Sequence, residues 1–193
     1  MKVIILVSLL SVTTFYFTNK DAPEPTSNQP DIGKVIDSLN NVMVYYNGKV
    51  GTVVGRNTIN GYNLGLKYQC VEFVKRYYYE FYNHKMPDSY GHALSFYLPN
   101  LSDGQINNQR ALLQYRNPSK TKPQVGDLIV MDTTETNPFG HVAIISEVNA
   151  THIEIIQQNP GPNCPSREIF KLEESKDQLW KIQNDRVLGW LRK

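Results

Sequence analysis

Two residues in this chain have the type and setting that covalent catalysis requires: a cysteine at the head of an apolar repeat and a histidine that opens a strand. Cys70 lies in Tyr68-Gln69-Cys70-Val71-Glu72-Phe73-Val74-Lys75-Arg76-Tyr77-Tyr78-Tyr79. Val71, Val74, Tyr78 and Phe81 recur at three- and four-residue spacing, which predicts an amphipathic helix with the thiol in its first turn. A thiol there meets the positive end of the helix macrodipole and unpaired backbone N–H groups, both of which favour thiolate. Such a nucleophile needs a base, and the chain offers four histidines. His84 and His92 sit in polar, turn-rich sequence. His141 begins the strand pattern Gly140-His141-Val142-Ala143-Ile144-Ile145, and Asn149-Ala150-Thr151 turns the chain into a second strand from His152.

With that hairpin centred near Ala150, Asn159 falls opposite His141 and Gln157 opposite Ala143, all on one face by the alternation of a strand. A slip of one residue would carry both amides away. In this register Cys70 is the candidate nucleophile and His141 the candidate base, oriented by the amide of Asn159 or Gln157. The Cys70 backbone N–H and the Gln69 side chain are the candidate donors to an oxyanion. Plainer readings of the same residues stay open. His141 would also serve as a strand histidine satisfied by its neighbours. In an exported chain, Cys70 and Cys164 would also form a structural disulfide, leaving a non-catalytic binding module. Glu72 and Lys75-Arg76 read as the solvated face of the helix. Asp127 and Asp132 read as turn and edge residues.

The elements that must position these side chains follow from pattern. Ile36, Leu39 and Val42 have helical spacing within Ile32–Met43, with Asp31 as N-cap. Val44–Tyr46, Asn47-Gly48 and Lys49–Val54 read as strand, turn and strand. Asn- and Gly-rich Arg56–Leu66 reads as loop, and Ala93–Leu98 as a short second helix. Strands are expected at Leu128–Met131, His141–Val148, His152–Gln158, Glu168–Leu172 and Val187–Leu191. Helices followed by a run of antiparallel strands give an α+β class.

Composition sets outer bounds. The chain has 193 residues, 40% of them hydrophobic, enough for one domain with a full core. Residues 1–20 carry Lys2 and Lys20 and no acid, so the remainder balances at 18 basic against 18 acidic residues. That balance, without a polybasic run, argues against a nucleic-acid partner. Lys2 followed by aliphatic Val3–Val12 reads as an export signal, too short for a comfortable membrane span. Tyr16 and Phe17 fall where small residues would mark cleavage, so an uncleaved anchor, the one membrane link, stays open. Residues 1–20 are thus expected as signal or anchor, 21–31 as a Pro-rich linker and 32–193 as the folded domain, exported and monomeric.

The segments YQCVEFVKRYY (68–78), GDLIVMDTTETNPFGHVAIISEV (126–148), IEIIQQN (153–159) and VLGWL (187–191) resemble, in this order, the CHAP family of cysteine- and histidine-dependent amidohydrolases and peptidases. Within it they look most like the amidase domains of glutathionylspermidine synthetase/amidases. The resemblance implies a papain-like fold with N-terminal helices packed on an antiparallel sheet, Cys70 as nucleophile and His141 as base. Where many members carry Glu-Gln-Asn at the strand end, this chain has Gln157-Gln158-Asn159, so that either Asn159 alone orients His141 or the site is weakened. Exported members cut peptidoglycan peptides and cytoplasmic ones glutathionylspermidine, so an export signal favours the wall. Some wall-cleaving relatives bind calcium before the cysteine helix. Ser38 through Val71 holds no Asp or Glu, so no metal is expected there, and no His or Cys spacing suits zinc. No cofactor is expected.

Overall fold

A computed structural model describes residues 29–193. The segments expected as signal or anchor and most of the linker lie outside the described residues. The fold is α+β, built on an antiparallel sheet and one α-helix. Two small hairpins come first. β1 (Val35–Leu39) pairs with β2 (Val42–Tyr45), and β3 (Arg56–Ile59) with β4 (Tyr62–Leu66). Helix α1 follows (Cys70–Tyr82), then a single 3₁₀ turn at Ala93–Phe96. The remaining strands are β5 (Gln105–Asn107), β6 (Leu112–Arg116), β7 (Leu128–Met131), β8 (His141–Val148), β9 (His152–Ile156), β10 (Arg167–Glu174), β11 (Trp180–Ile182) and β12 (Val187–Arg192). They form one eight-stranded sheet in the order β11-β10-β9-β8-β7-β12-β6-β5.

The first third departs from the sequence-based expectation. The predicted helix over 32–43 is the β1–β2 hairpin, because Asn40 and Asn41 take φ of 50° and 65°. Two consecutive left-handed residues make the tight turn that joins twisted strands and break any helix. Asn60-Gly61 does the same between β3 and β4, with φ of 50° and 76°, so the expected loop at 56–66 is a hairpin. The expected strand at 49–54 is irregular chain. The second helix is reduced to the 3₁₀ turn, so a single α-helix stands among the described residues where several were expected. No helix among them is long and apolar enough to cross a membrane.

Both faces of the sheet are buried, and strand alternation sorts them. Leu128, Val130, Val142, Ile144 and Ile156 point to α1, meeting Phe73, Val74, Tyr77 and Tyr78. Ile129, Met131, Ala143, Ile145, Ile153 and Ile155 point the other way, to Phe170 and Trp190. This second cluster is drawn only from the sheet's own strands, so the sheet curls over it. Strands buried on both faces read as continuous apolar runs, which is why β7 and β8 match their expected bounds. The apolar stripe on α1 is only partly as expected: Val74 and Tyr78 are buried, but Phe81 is exposed.

Gly65 sets how closely β4 approaches the start of α1. Its φ is 133°, and a Cβ there would lie 3.2 Å from the backbone N and Cα of Glu72. The conformation strains any side chain, and the contact would force the start of α1 to give way by a few tenths of an ångström. Gly65→Ala is therefore expected to lower stability by roughly 1–3 kcal/mol, read by urea unfolding. An unchanged midpoint would show that the helix start is free to shift.

Candidate active site

Helix α1 begins at Cys70, with Gln69 as an extended N-cap whose side chain caps nothing. The Cys70 N–H therefore has no intrahelical acceptor. The thiol lies against the start of β8, close to the backbone N–H of Val142. His141, the preceding residue, is the first of β8 and pairs with Met131. Gly140 makes that entry possible: its φ is 71°, and a Cβ would come 2.7 Å from the Met131 carbonyl oxygen. Cys70 and His141 line one cavity of about 530 Å³.

The strand end Gln157-Gln158-Asn159 supplies three amides with three different targets. Gln157 Oε1 accepts from His141 Nε2 at 3.0 Å. The imidazole is thereby fixed as the Nε2–H tautomer, which leaves Nδ1 as the basic nitrogen. Gln157 Nε2 faces the Glu168 carboxylate and the Pro165 carbonyl, each at 3.4 Å. An amide suits this position where a carboxylate would confront Glu168. Gln158 Nε2 donates to Gln69 O at 3.1 Å and to Glu72 Oε2 at 2.9 Å, and its Oε1 accepts from Tyr45 N at 2.8 Å. Asn159 Nδ2 donates to Gln69 Oε1 at 2.7 Å and to Val50 O at 2.9 Å. The register near Ile144↔Ile156 is the one anticipated from the hairpin.

Several expected roles change with this geometry. Of the two candidate amides, Gln157 meets His141. Asn159 lines the cavity, but its Oδ1 finds no partner among the described residues. The Gln69 side chain, a candidate oxyanion donor, spends its Nε2 hydrogens on Thr52 O at 2.7 Å and Val50 O at 3.2 Å. It braces the cavity wall instead, leaving the Cys70 N–H as the free donor. The alternative disulfide is not formed: both cysteines are free. Cys164 is exposed beside Tyr46 and Ile36, in a depression separate from the cavity that holds Cys70.

The helix face expected to be solvated is buried. Glu72 and Lys75 are each 1% exposed and Arg76 is 5%. Arg76 Nε donates to Glu72 Oε1 at 2.6 Å, and Asn57 Nδ2 to the same oxygen at 2.8 Å. Asp127, read as a turn residue, is buried and paired with Arg192 at 2.7 Å. Arg56, Ser89, Tyr90 and His92 also line the cavity and carried no catalytic signal in the sequence. Among the described residues no group of acids, histidines and cysteines is arranged to hold a metal.

Burial governs the protonation of the central pair. It pushes the Cys70 thiol above its ordinary value, outweighing the N–H groups of Val142, Val71 and Cys70 itself. Burial also pushes His141 down to about 4, with the Gln157 hydrogen bond opposing and Arg186 reinforcing the shift. Burial therefore opposes the thiolate that the helix start favours and disfavours the imidazolium as well, which favours the neutral pair.

The CHAP domain family description matches residues 60–159. Trypanothione synthetase of Crithidia fasciculata is 32% identical over 123 residues, 63% of this chain and 19% of that protein. Bifunctional glutathionylspermidine synthetase/amidase of Escherichia coli (strain K12) is 29% identical over 147 residues, 72% of this chain and 24% of that protein. The chain thus spans about a fifth to a quarter of the length of these curated relatives. The crystal structure of Ly7917 with the hydrolyzing product of MDP overlaps 39% of this chain and 30% of that one. The two share 24% identity at a TM-score of 0.28.

Two outcomes follow from the neutral pair. Iodoacetamide labelling of Cys70 should be slow at pH 6 and accelerate only through the alkaline range, as read by peptide mass spectrometry; fast labelling at pH 6 would mean a preformed ion pair. Stability should also depend on acid. An unfolded histidine titrates near 6.5 and His141 near 4, so the unfolded chain binds the extra proton between these values. The contribution is full above about 6.5 and is lost as the pH falls toward 4, on the order of 3 kcal/mol. His141→Gln should flatten that part of the urea-unfolding profile relative to the unaltered chain, and parallel profiles would refute the shift.

Proposed function

The chain belongs to the CHAP domain family, and on that premise we propose that it is an exported cysteine amidohydrolase acting on peptidoglycan peptides. The observation that carries the catalytic reading is the meeting of Cys70 and His141 on one cavity, with His141 Nε2 tied to Gln157. Cys70 Sγ attacks the carbonyl carbon of an amide while His141 Nδ1 takes the thiol proton. Because the resting pair is neutral, proton transfer accompanies attack. The oxyanion receives the Cys70 N–H at the positive end of α1. The tetrahedral species collapses to a thioester as the imidazolium returns the proton to the departing amine. Water, deprotonated by His141, then releases the acid and restores the thiol. Gln157 holds the ring in the tautomer that presents Nδ1, the role a triad's third residue plays.

Support for export comes from the apolar Val3–Val12 behind Lys2, and an exported hydrolase meets wall peptides. The similarity to glutathionylspermidine synthetase/amidase favours a second substrate, glutathionylspermidine. A chromatographic assay of amide hydrolysis on wall stem peptides and on glutathionylspermidine tests both readings. Cys70→Ala should abolish turnover, and His141→Ala should lower kcat roughly 10²–10⁴-fold. Undiminished turnover in Cys70→Ala, or no hydrolysis of either substrate, would overturn the assignment.

A further inference from the structure

The charges around the cavity bear on which amide it accepts. Its lining among the described residues contains no Asp or Glu, and its one permanently charged side chain is Arg56. Arg56 opens β3 and is contacted from two sides. Its Nη1 donates to Asn63 Oδ1 on β4 at 2.9 Å, and its guanidinium carbon lies 5.8 Å from the centre of the Tyr90 ring. Asn63 is itself buried, and its Nδ2 donates to Ser89 O at 2.6 Å. The exposed guanidinium thus sits where the β3–β4 hairpin meets the 89–90 segment. Asn63 is its one side-chain acceptor among the described residues, and no carboxylate pairs with it there. The rest of its fork of N–H donors is unspent.

The wall behind Arg56 is also cationic. The Lys75 ammonium bonds Asn63 O, and Ser89 O at 2.7 Å. The buried Arg110 reaches Asp88 O at 2.6 Å. The acid whose charge acts on Lys75 and Arg110 is Asp88, an exposed residue that does not line the cavity. A cleft with cations on one wall and no acid in its lining attracts anions and repels cations. A polyamine amide would bring ammonium groups into this cleft with no carboxylate to receive them. A free carboxylate near the scissile amide would meet this guanidinium, the geometry that favours paired N–H···O contacts.

We infer that Arg56 is a specificity residue that anchors a substrate carboxylate, so that the cleft selects acidic peptide amides over polyamine conjugates. This rests on the amide-hydrolase reading but is tested apart from turnover. The Cys70→Ala chain is titrated calorimetrically with N-acetyl-L-Ala-γ-D-Glu-L-Ala-amide, and with the same peptide carrying D-isoglutamine, which differs only by amidation of the free carboxylate. The carboxylate form should bind about tenfold tighter or more, an advantage that added salt reduces. Arg56→Gln in the same background should erase the difference and leave the amidated peptide unaffected. Equal affinities, a preference that survives Arg56→Gln, no binding of the acidic peptide, or tighter binding of glutathionylspermidine would each overturn the inference. Retained preference in a chain that hydrolyses neither peptide would count against the enzyme reading and leave the anchor standing.

Discussion

The carboxylate of Glu72, two residues along α1 from Cys70, has almost no access to water, and the domain depends on satisfying it. An unpaired buried carboxylate is not tolerated, and removing one partner of a buried ion pair typically costs about 3–5 kcal/mol. The groups that meet it come from separate pieces of the chain. Arg76 lies four residues along α1, Asn57 belongs to the β3–β4 hairpin, and Gln158 follows β9. Arg76 also donates to Met43 O on β2 and lies 5.0 Å from the centre of the Tyr45 ring. One charge thus joins both small hairpins, the helix and the end of a sheet strand. The position of Cys70 relative to His141 is set by that junction, because α1 and β8 contribute one residue each and neither alone fixes the distance.

The same strand end divides its work by residue. Gln158 secures the helix, Gln157 secures the imidazole and Asn159 secures Gln69. The division explains an amide at 157 in physical terms. Gln157 accepts from His141 on one side and faces a carboxylate on the other, a pair of tasks that needs one oxygen acceptor and one nitrogen donor. A carboxylate offers two acceptors and no donor.

Strands β7 to β10 and β12 were legible in the sequence; β5, β6, β11 and the first third were not. Leu128–Met131 and His141–Val148 are apolar on both faces because the sheet is covered on both, so their bounds could be read from hydrophobicity alone. The turn at 149–151 fixed the register closely enough to bring Gln157 to His141. Residues 32–66 bury little apolar surface of their own, and their course is set by Asn40-Asn41 and Asn60-Gly61 turning tightly. Ile36, Leu39 and Val42 mimic helical spacing by coincidence of a short hairpin. The burial of Glu72, Lys75 and Arg76 was hidden for a different reason. Charged residues on a helix read as solvated unless the groups that neutralise them are known, and here these lie up to 86 residues away. Register placed Asn159 opposite His141, yet Gln157 meets the imidazole, since the choice between a directly opposed and a diagonal neighbour lies in side-chain reach rather than in alternation.

On the proposed reading, the absence of a carboxylate at 157 and the absence of carboxylates from the cavity lining act in the same direction. A carboxylate beside His141 would favour imidazolium before substrate arrives. With an amide there, and with burial disfavouring both ions, charge separation waits for the attack on the carbonyl. The negative charge that then develops lies on the oxyanion, beside the Cys70 N–H and in a cleft whose lining has no acid to oppose it. The imidazolium formed in the same step is the one new cation in a buried place, and it is removed as soon as its proton passes to the leaving amine. Passing that proton to the amine nitrogen is what lets the amine depart in place of the thiolate, so forward collapse depends on His141 delivering the proton to that nitrogen.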